Sequence, residues 1–160
     1  MPITVPIIDP KTFQFSPLFA TLETINQYNK QRFELQQLDG ICELRKDEHL
    51  IYGYKDITAN EFWVRGHIPG HPLMPGVLMI ESAAQLCSFY YLYVTQSKDF
   101  FGFAALDAIK FRGVVQPGER LVIVSKNTSL RSRLAVFETQ CYLGEKLVFE
   151  GKITGSLVRT

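Results

Sequence analysis

Residues 72–94 constrain the fold of this chain more than any other part of the sequence. Their only strongly polar members are Glu81, Gln85 and two serines, so the segment is apolar on nearly every side. A helix over residues 77–94 would be about 27 Å long, which is close to the thickness of a membrane core. A carboxylate near the middle of a membrane span is costly, however, and no second span follows. We therefore predict a buried helix at the centre of a folded core.

The sequence around this helix predicts β-strands. Residues typical of strands recur in six segments, which are separated by turn clusters such as Gln116-Pro117-Gly118-Glu119. The segments are residues 38–45, 50–57, 103–111, 121–130, 134–143 and 146–158. The polar residues 46–49 join the first two segments, as in a β-hairpin. Together these elements predict an α+β fold in which an antiparallel sheet wraps around one long central helix.

The N-terminal 28 residues are expected to form an arm and a short helix. Pro2, Pro6 and Pro10 favour an extended chain over residues 1–15. Ser16-Pro17 has the residue types of a helix start, with serine as N-cap and proline in the first turn, so a helix is predicted over residues 18–28. Residues 29–160 are then expected to form the main domain.

Charge and cysteine content exclude several classes of protein. The 17 Lys+Arg and 16 Asp+Glu give a net charge of +1, so the chain lacks the basic footprint of a nucleic-acid-binding protein. A hydrophobic content of 46% over 160 residues suffices for one domain with its own core. The three cysteines are widely spaced and form no metal-like motif, which is typical of a reducing compartment. Because residues 1–15 show no secretory pattern, we expect a cytoplasmic protein.

Three candidate catalytic groups lie within fifteen residues of one another. Glu81 lies on an otherwise apolar helix, where burial would raise its pKa and suit it to general acid catalysis. A glutamate facing a solvent gap or capping a loop is the alternative. His67 lies on the Gly/Pro-rich loop before the helix and is a candidate general base, although a lone histidine is more often structural. Gly76 opens the helix, where a free N–H could stabilise an oxyanion or only cap the helix.

A zinc site at His67 and His71 is not expected. The spacing of these histidines matches an H-x-x-x-H pair, but Pro69 and Gly70 between them break the helix that such a pair requires. We expect no metal and no cofactor.

The stretch over residues 66–85 reads G-H-x-P-G-x-P-x-x-P-G-V-L-x-x-E-x-x-A-Q. It closely resembles the signature of the (3R)-hydroxyacyl-acyl-carrier-protein dehydratases, the FabZ type of the hotdog fold. Residues 103–118 resemble the strand and turn that follow the central helix in that family. Arg32-Phe33 and residues 38–41 resemble a degraded form of its early strand.

This resemblance implies a hotdog dehydratase domain over residues 29–160 and a homodimer, which could assemble further into a hexamer as a trimer of dimers. The implied reaction is reversible removal of water from a 3-hydroxyacyl thioester carried by acyl carrier protein or coenzyme A, in fatty acid biosynthesis. His67 would remove the α-proton, the Gly76 N–H would hold the thioester oxygen, and Glu81 of the other subunit would protonate the departing hydroxyl. Gln85, one turn after Glu81, would either orient that carboxyl group or only pack against it.

The chain departs from the family in two places. Lys30-Gln31 and Glu34 replace the usual Pro-His and Pro around the arginine, and the first 25 or so residues have no counterpart. Residues 98–133 carry a local charge of about +4. Lys110 and Arg112 within them are candidates for docking an acidic carrier, although a solvated sheet edge would look the same. A hotdog thioesterase and a non-catalytic acyl-binding module are the alternative functions.

Overall fold

The computed structural model describes residues 4–159 of the chain. Its helices are α1 (Leu22–Tyr28) and α2 (Gly76–Thr95), and its strands are β1 (Gly40–Arg45), β2 (Leu50–Asp56), β3 (Phe100–Phe111), β4 (Arg120–Leu130), β5 (Leu134–Leu143) and β6 (Lys146–Val158). The strands form one antiparallel sheet in the order β1-β2-β4-β5-β6-β3. The sheet wraps around α2, so the predicted α+β architecture is confirmed.

Helix α2 is apolar because the sheet encloses it. Leu86 and Phe89 are fully buried, and Tyr90 is 1% exposed. By length and composition alone α2 could cross a membrane, but 67% of its most apolar window is buried inside the protein. Packing within the fold therefore accounts for its composition. The helix ends where Gln96 adopts a left-handed conformation with φ of 57°.

The two edges of the sheet differ in how they are covered. At the β1 edge, Ala20 and Ile41 exchange two backbone hydrogen bonds of 3.0 and 2.9 Å. At the other edge, β3 pairs with β6 and carries exposed apolar side chains, among them Phe103 and Phe111. The β3 edge is therefore the more open of the two.

The N-terminal segment lies on the outer face of the sheet. Ile8 is buried there, and the Phe13 ring packs 5.1 Å from that of Tyr52, measured between centroids. The side chain of Gln140 accepts a hydrogen bond of 2.8 Å from the backbone N–H of Ile7 and donates one of 2.9 Å to the carbonyl of Val5. Residues 1–3 of the predicted arm lie outside the described part of the chain.

The predicted start of the first helix is wrong. Helix α1 begins at Leu22, four residues after the expected start at residue 18, and Thr21 precedes it in an extended conformation. The backbone bridge between Ala20 and Ile41 keeps the chain extended up to that point. The other predicted helix and the strands agree closely with the structure, with β3 beginning at Phe100 rather than at residue 103. The predicted extended arm is interrupted by a short 3-10 helix at Pro10–Thr12.

Candidate active site

The loop before α2 holds His67 through three hydrogen bonds. The His67 N–H donates to the Trp63 carbonyl over 2.7 Å, and the Leu73 N–H donates to the His67 carbonyl over 3.0 Å. The imidazole Nδ1 lies 2.7 Å from the Leu73 carbonyl oxygen. A carbonyl oxygen only accepts, so Nδ1 is the donor, and in the neutral tautomer that this contact selects Nε2 keeps its lone pair. His67 is exposed, so a reactant can reach this nitrogen.

A mostly apolar depression of about 410 Å³ lies beside His67, and we call it the His67 pocket. It is lined by His67, Leu73, Met74, Gly76, Val77, Met79, Phe111, Gly113 and Val114. Gly76 is the first residue of α2, so its N–H has no acceptor within the helix. The structure thus brings His67 and a helix N-terminal amide, both predicted site groups, to one pocket.

The Phe111 ring explains why residue 76 is a glycine. A Cβ added to Gly76 would lie 2.8 Å from Cε1 of this ring, closer than real Cβ contacts occur. The ring therefore packs directly against the start of α2, beside the free amide. The motif did not identify Phe111 as a site residue, because it comes from the far end of β3.

Glu81 lies in a second and smaller cavity of about 150 Å³, which we call the Glu81 cavity. It is lined by Gln31, Glu81, Ala84, Phe100, Phe101, Gly102, Phe103, Ile153 and Gly155. Burial raises the pKa of Glu81, and a hydrogen bond from Gln85 opposes that shift only in part. A carboxyl group in this environment retains its proton to higher pH than an exposed glutamate does.

The amide of Gln85 is held in one orientation. Its Oε1 accepts from the Gln37 backbone N–H over 2.9 Å, and its Nε2 donates to the Leu35 carbonyl over 2.6 Å. The same Nε2 donates to Oε1 of Glu81 over 2.8 Å. Residues 35–37 thus fix Gln85, and Gln85 in turn contacts the acid. The contact is the one that an orienting role requires, and the role itself remains a prediction.

His67 and Glu81 do not share a cavity within one chain. Among residues 4–159, the His67 pocket includes the first turn of α2, whereas the Glu81 cavity includes the start of β3 and the end of β6. Within one chain, the two predicted catalytic groups therefore line separate cavities.

The two predicted carrier contacts have different surroundings. Arg112 Nε forms an ion pair of 2.6 Å with Oε2 of Glu150, and the same carboxylate accepts a hydrogen bond from the Thr4 hydroxyl over 2.8 Å. Lys110 is exposed, and its backbone lies opposite that of Glu150 where β3 pairs with β6. Glu150 was missed by the sequence reasoning, since it lies about 40 residues further along the chain.

Within residues 4–159, no group of three or more His, Cys, Asp or Glu side chains is placed to hold a metal ion. Cys42, Cys87 and Cys141 are buried and unpaired with one another. Burial raises the pKa of Cys42 and of Cys87 to about 12, so both thiols stay protonated at neutral pH. They pack as small apolar residues.

Comparison with known proteins identifies the family. A family model described as a FabA-like domain matches residues 29–152. The chain is also 34% identical, over 138 residues, to the 3-hydroxyacyl-[acyl-carrier-protein] dehydratase FabZ of Clostridioides difficile (strain 630), an alignment that covers 86% of this chain and 96% of that protein. The chain belongs to the FabZ-type dehydratases.

A second FabZ-type relative, from Alkaliphilus metalliredigens, is 38% identical over 128 residues, which cover 79% of this chain and 86% of that protein. Solved structures support the hotdog fold of this FabZ-type chain. One is the dehydratase heterocomplex ApeI:P of Xenorhabdus doucetiae, with a TM-score of 0.74 at 10% identity over 85% of this chain and 91% of that one. A mutant thioesterase of Pseudomonas aeruginosa gives 0.64 at 18% identity over 92% of this chain and all of the other. At these identities the likeness bears on the fold alone.

Proposed function

We propose that this FabZ-type enzyme removes water reversibly from (3R)-3-hydroxyacyl thioesters to give trans-2-enoyl thioesters in fatty acid biosynthesis. The observation that carries the proposal is the His67 pocket, where an imidazole with an available Nε2 lies beside the free amide of Gly76. The FabZ-type relatives, named as 3-hydroxyacyl-[acyl-carrier-protein] dehydratases, support the same reaction. The substrate is carried by acyl carrier protein or coenzyme A.

In the proposed mechanism, Nε2 of His67 takes the proton from C2 of the acyl group while the Gly76 N–H stabilises the negative charge that develops on the thioester oxygen. The electron pair of the C2–H bond forms the double bond as the C3–O bond breaks. Glu81 gives its proton to the leaving hydroxyl, which departs as water. Burial favours this role, because it raises the pKa of the carboxyl group and so favours its protonated form.

The complete site is proposed to form in a homodimer. Strand β3 lies at an edge of the sheet, and Phe103, Leu106 and Phe111 on it are each more than 40% exposed. Unpaired edge strands are available for pairing with another chain. Val77 at the start of α2 is 67% exposed and extends this apolar surface towards the His67 pocket. Pairing of two β3 edges would cover the surface and bring His67 of one subunit to Glu81 of the partner subunit.

Dehydration is tested with (3R)-3-hydroxybutyryl-pantetheine by following the absorbance of the enoyl thioester. Wild-type protein is expected to turn over, and His67→Ala to lose roughly 10²–10⁴-fold of the rate, as expected for a general base. His71→Ala is the matched control, since His71 is also exposed on the same loop, and it is expected to keep the rate. Equal rates for wild type and His67→Ala would overturn the proposal. Release of free thiol, measured in the same reaction, would instead indicate a thioesterase.

The shared site is tested by mixing two inactive variants, His67→Ala and Glu81→Gln, under conditions that allow subunits to exchange. Half of the randomly formed dimers are mixed, and each mixed dimer has one site with both groups intact. About a quarter of the wild-type activity should return. No recovery in a mixture shown to contain mixed dimers would place His67 and Glu81 of one chain in the same site.

We further propose that an acidic carrier docks in the cytoplasm near Lys110, which is exposed at the β3 edge. Arg112 is paired with Glu150, so its charge is already partly compensated. Lys110→Glu is therefore expected to raise KM for the carrier-bound substrate more than for the pantetheine substrate. An equal change for both substrates would argue against docking at this position.

A further inference from the structure

The Glu81 cavity contains a polar group that the proposed mechanism does not use. Gln31 lines the cavity, and its Oε1 is buried and accepts no hydrogen bond from any residue between 4 and 159. Buried acceptors of this kind are rare in folded proteins, because leaving one without a donor is costly. The wall of the cavity therefore includes a side chain whose acceptor lacks a donor.

The neighbouring polar groups do not supply a donor to Gln31. The Nε2 of Gln85 is already shared between Leu35 and Glu81, and the side-chain amide of Asn29 donates to the Gln85 carbonyl over 2.9 Å. These bonds hold the loop over residues 29–37 against α2 and place Gln31 beside the acid. Gln31 thus lies on a fixed part of the chain.

The rest of the cavity restricts what can bind there. Ala84, Phe101 and Ile153 supply apolar walls, so the two polar side chains that line the cavity are Gln31 and Glu81. At about 150 Å³ the cavity admits only a small group. A ligand must therefore be mainly apolar and present one small polar group to both side chains.

We infer that Gln31 binds the 3-hydroxyl group of the substrate, accepting its O–H hydrogen bond while Glu81 donates to the same oxygen. A hydroxyl group has one O–H donor and two acceptor lone pairs, so it can satisfy both partners at once. After proton transfer the oxygen leaves as water, which still has an O–H for Gln31. Carboxyl and amide groups together would distinguish a 3-hydroxyacyl group from a saturated one. This inference rests on the proposed dehydratase function.

The inference is tested by a binding cycle in the His67→Ala background, where the substrate is not consumed. Calorimetry gives the Kd of (3R)-3-hydroxybutyryl-pantetheine and of butyryl-pantetheine, with and without the additional substitution Gln31→Met. With Gln31 present, loss of the hydroxyl group should weaken binding, because the bonds to Gln31 and to Glu81 are both lost. In the Gln31→Met form, the preference for the hydroxyl ligand should shrink about two- to tenfold, the usual range for one neutral hydrogen bond, and only the part that Glu81 supplies should remain.

Gln27→Met is the matched control, because Gln27 is exposed on α1 just before this loop, and it should retain the preference for the hydroxyl group. Gln31→Met and Gln31→Leu should both melt no lower than the parent, since they remove an acceptor that has no partner. A clear drop in Tm for both would show that Gln31 serves a structural partner and would overturn the inference. So would an unchanged hydroxyl preference in Gln31→Met while the wild-type enzyme dehydrates its substrate. Absence of dehydration by the wild-type enzyme would instead refute the proposed function.

Discussion

The His67 pocket and the Glu81 cavity give their catalytic candidates opposite environments, one exposed to solvent and one partly buried. His67 is exposed, and backbone hydrogen bonds to Trp63 and Leu73 hold it in place. Glu81 is partly buried on α2, and burial raises its pKa. The base therefore depends on a rigid loop that leaves Nε2 accessible, whereas the acid depends on a shielded environment that retains its proton. A reaction that begins with proton removal and ends with proton donation needs both environments, and one chain keeps them apart.

The largest effect that tests this contrast is expected from Glu81→Gln. The amide keeps the shape of the side chain but has no acidic proton, so dehydration should fall by roughly 10²–10⁴-fold. In the wild-type enzyme, the rate should fall as pH rises through the raised pKa of Glu81, since the protonated form is the active one. The measurement is the dehydration rate as a function of pH.

Glu23→Gln is the matched control for this substitution, because Glu23 is exposed on α1. It should keep both the rate and the pH profile of the wild-type enzyme. A Glu81→Gln enzyme that retained the wild-type rate would show that Glu81 is not the general acid.

A smaller effect is expected from Gly76→Ala, which disturbs the His67 pocket alone. The new Cβ would lie 2.8 Å from Cε1 of Phe111, so the ring or the start of α2 must move. Overpacking of this kind costs about 1–3 kcal/mol of stability. If the misplaced amide costs about 1.4 kcal/mol in the transition state, the rate falls about tenfold.

Gly66→Ala is the control for the pocket, since a Cβ on Gly66 has nothing within 4 Å. Adding Phe111→Leu to Gly76→Ala should recover part of the rate by relieving the contact. If the double variant is no faster than Gly76→Ala, the contact with Phe111 is not the cause of the loss.

The local parts of this site could be predicted from the sequence, and the non-local parts could not. The spacing of His67, Gly76 and Glu81 follows from one loop and the helix after it, and the apolar segment of residues 77–94 agrees with the observed α2. Phe111 reaches Gly76 only because β3 returns along α2, and no pattern near residue 111 signals that contact. Side chains brought together by the sheet are thus the ones that sequence reasoning misses.

The loop over residues 29–37 also shows that tertiary contacts cannot be predicted from the local sequence. The departure at Gln31 from the family pattern was visible in the sequence, but its place beside Glu81 depends on the loop crossing α2. The start of α1 was mispredicted for a related reason, because a backbone bridge to Ile41 overrides the local helix signal at Ser16-Pro17. In both cases a tertiary contact decides the outcome.

The smallest effect concerns stability, and it isolates the burial of the acid from its role in catalysis. The pKa of Glu81 is raised in the folded state, so the folded protein holds this proton more tightly than the unfolded chain does. The resulting stability is fully present below the ordinary glutamate pKa and is lost as pH rises through the raised pKa. Glutamine does not titrate, so only the wild type loses stability as pH rises between these two pKa values. The unfolding free energy of Glu81→Gln minus that of the wild type should therefore increase over this interval and then stay constant.

Glu61→Gln should show the opposite trend. Burial raises the pKa of Glu61, but hydrogen bonds from Thr58 and the nearby Lys55 outweigh it and leave that pKa lowered. Denaturant unfolding at a series of pH values measures both differences, and parallel trends for the two variants would show that the Glu81 cavity does not shield its acid.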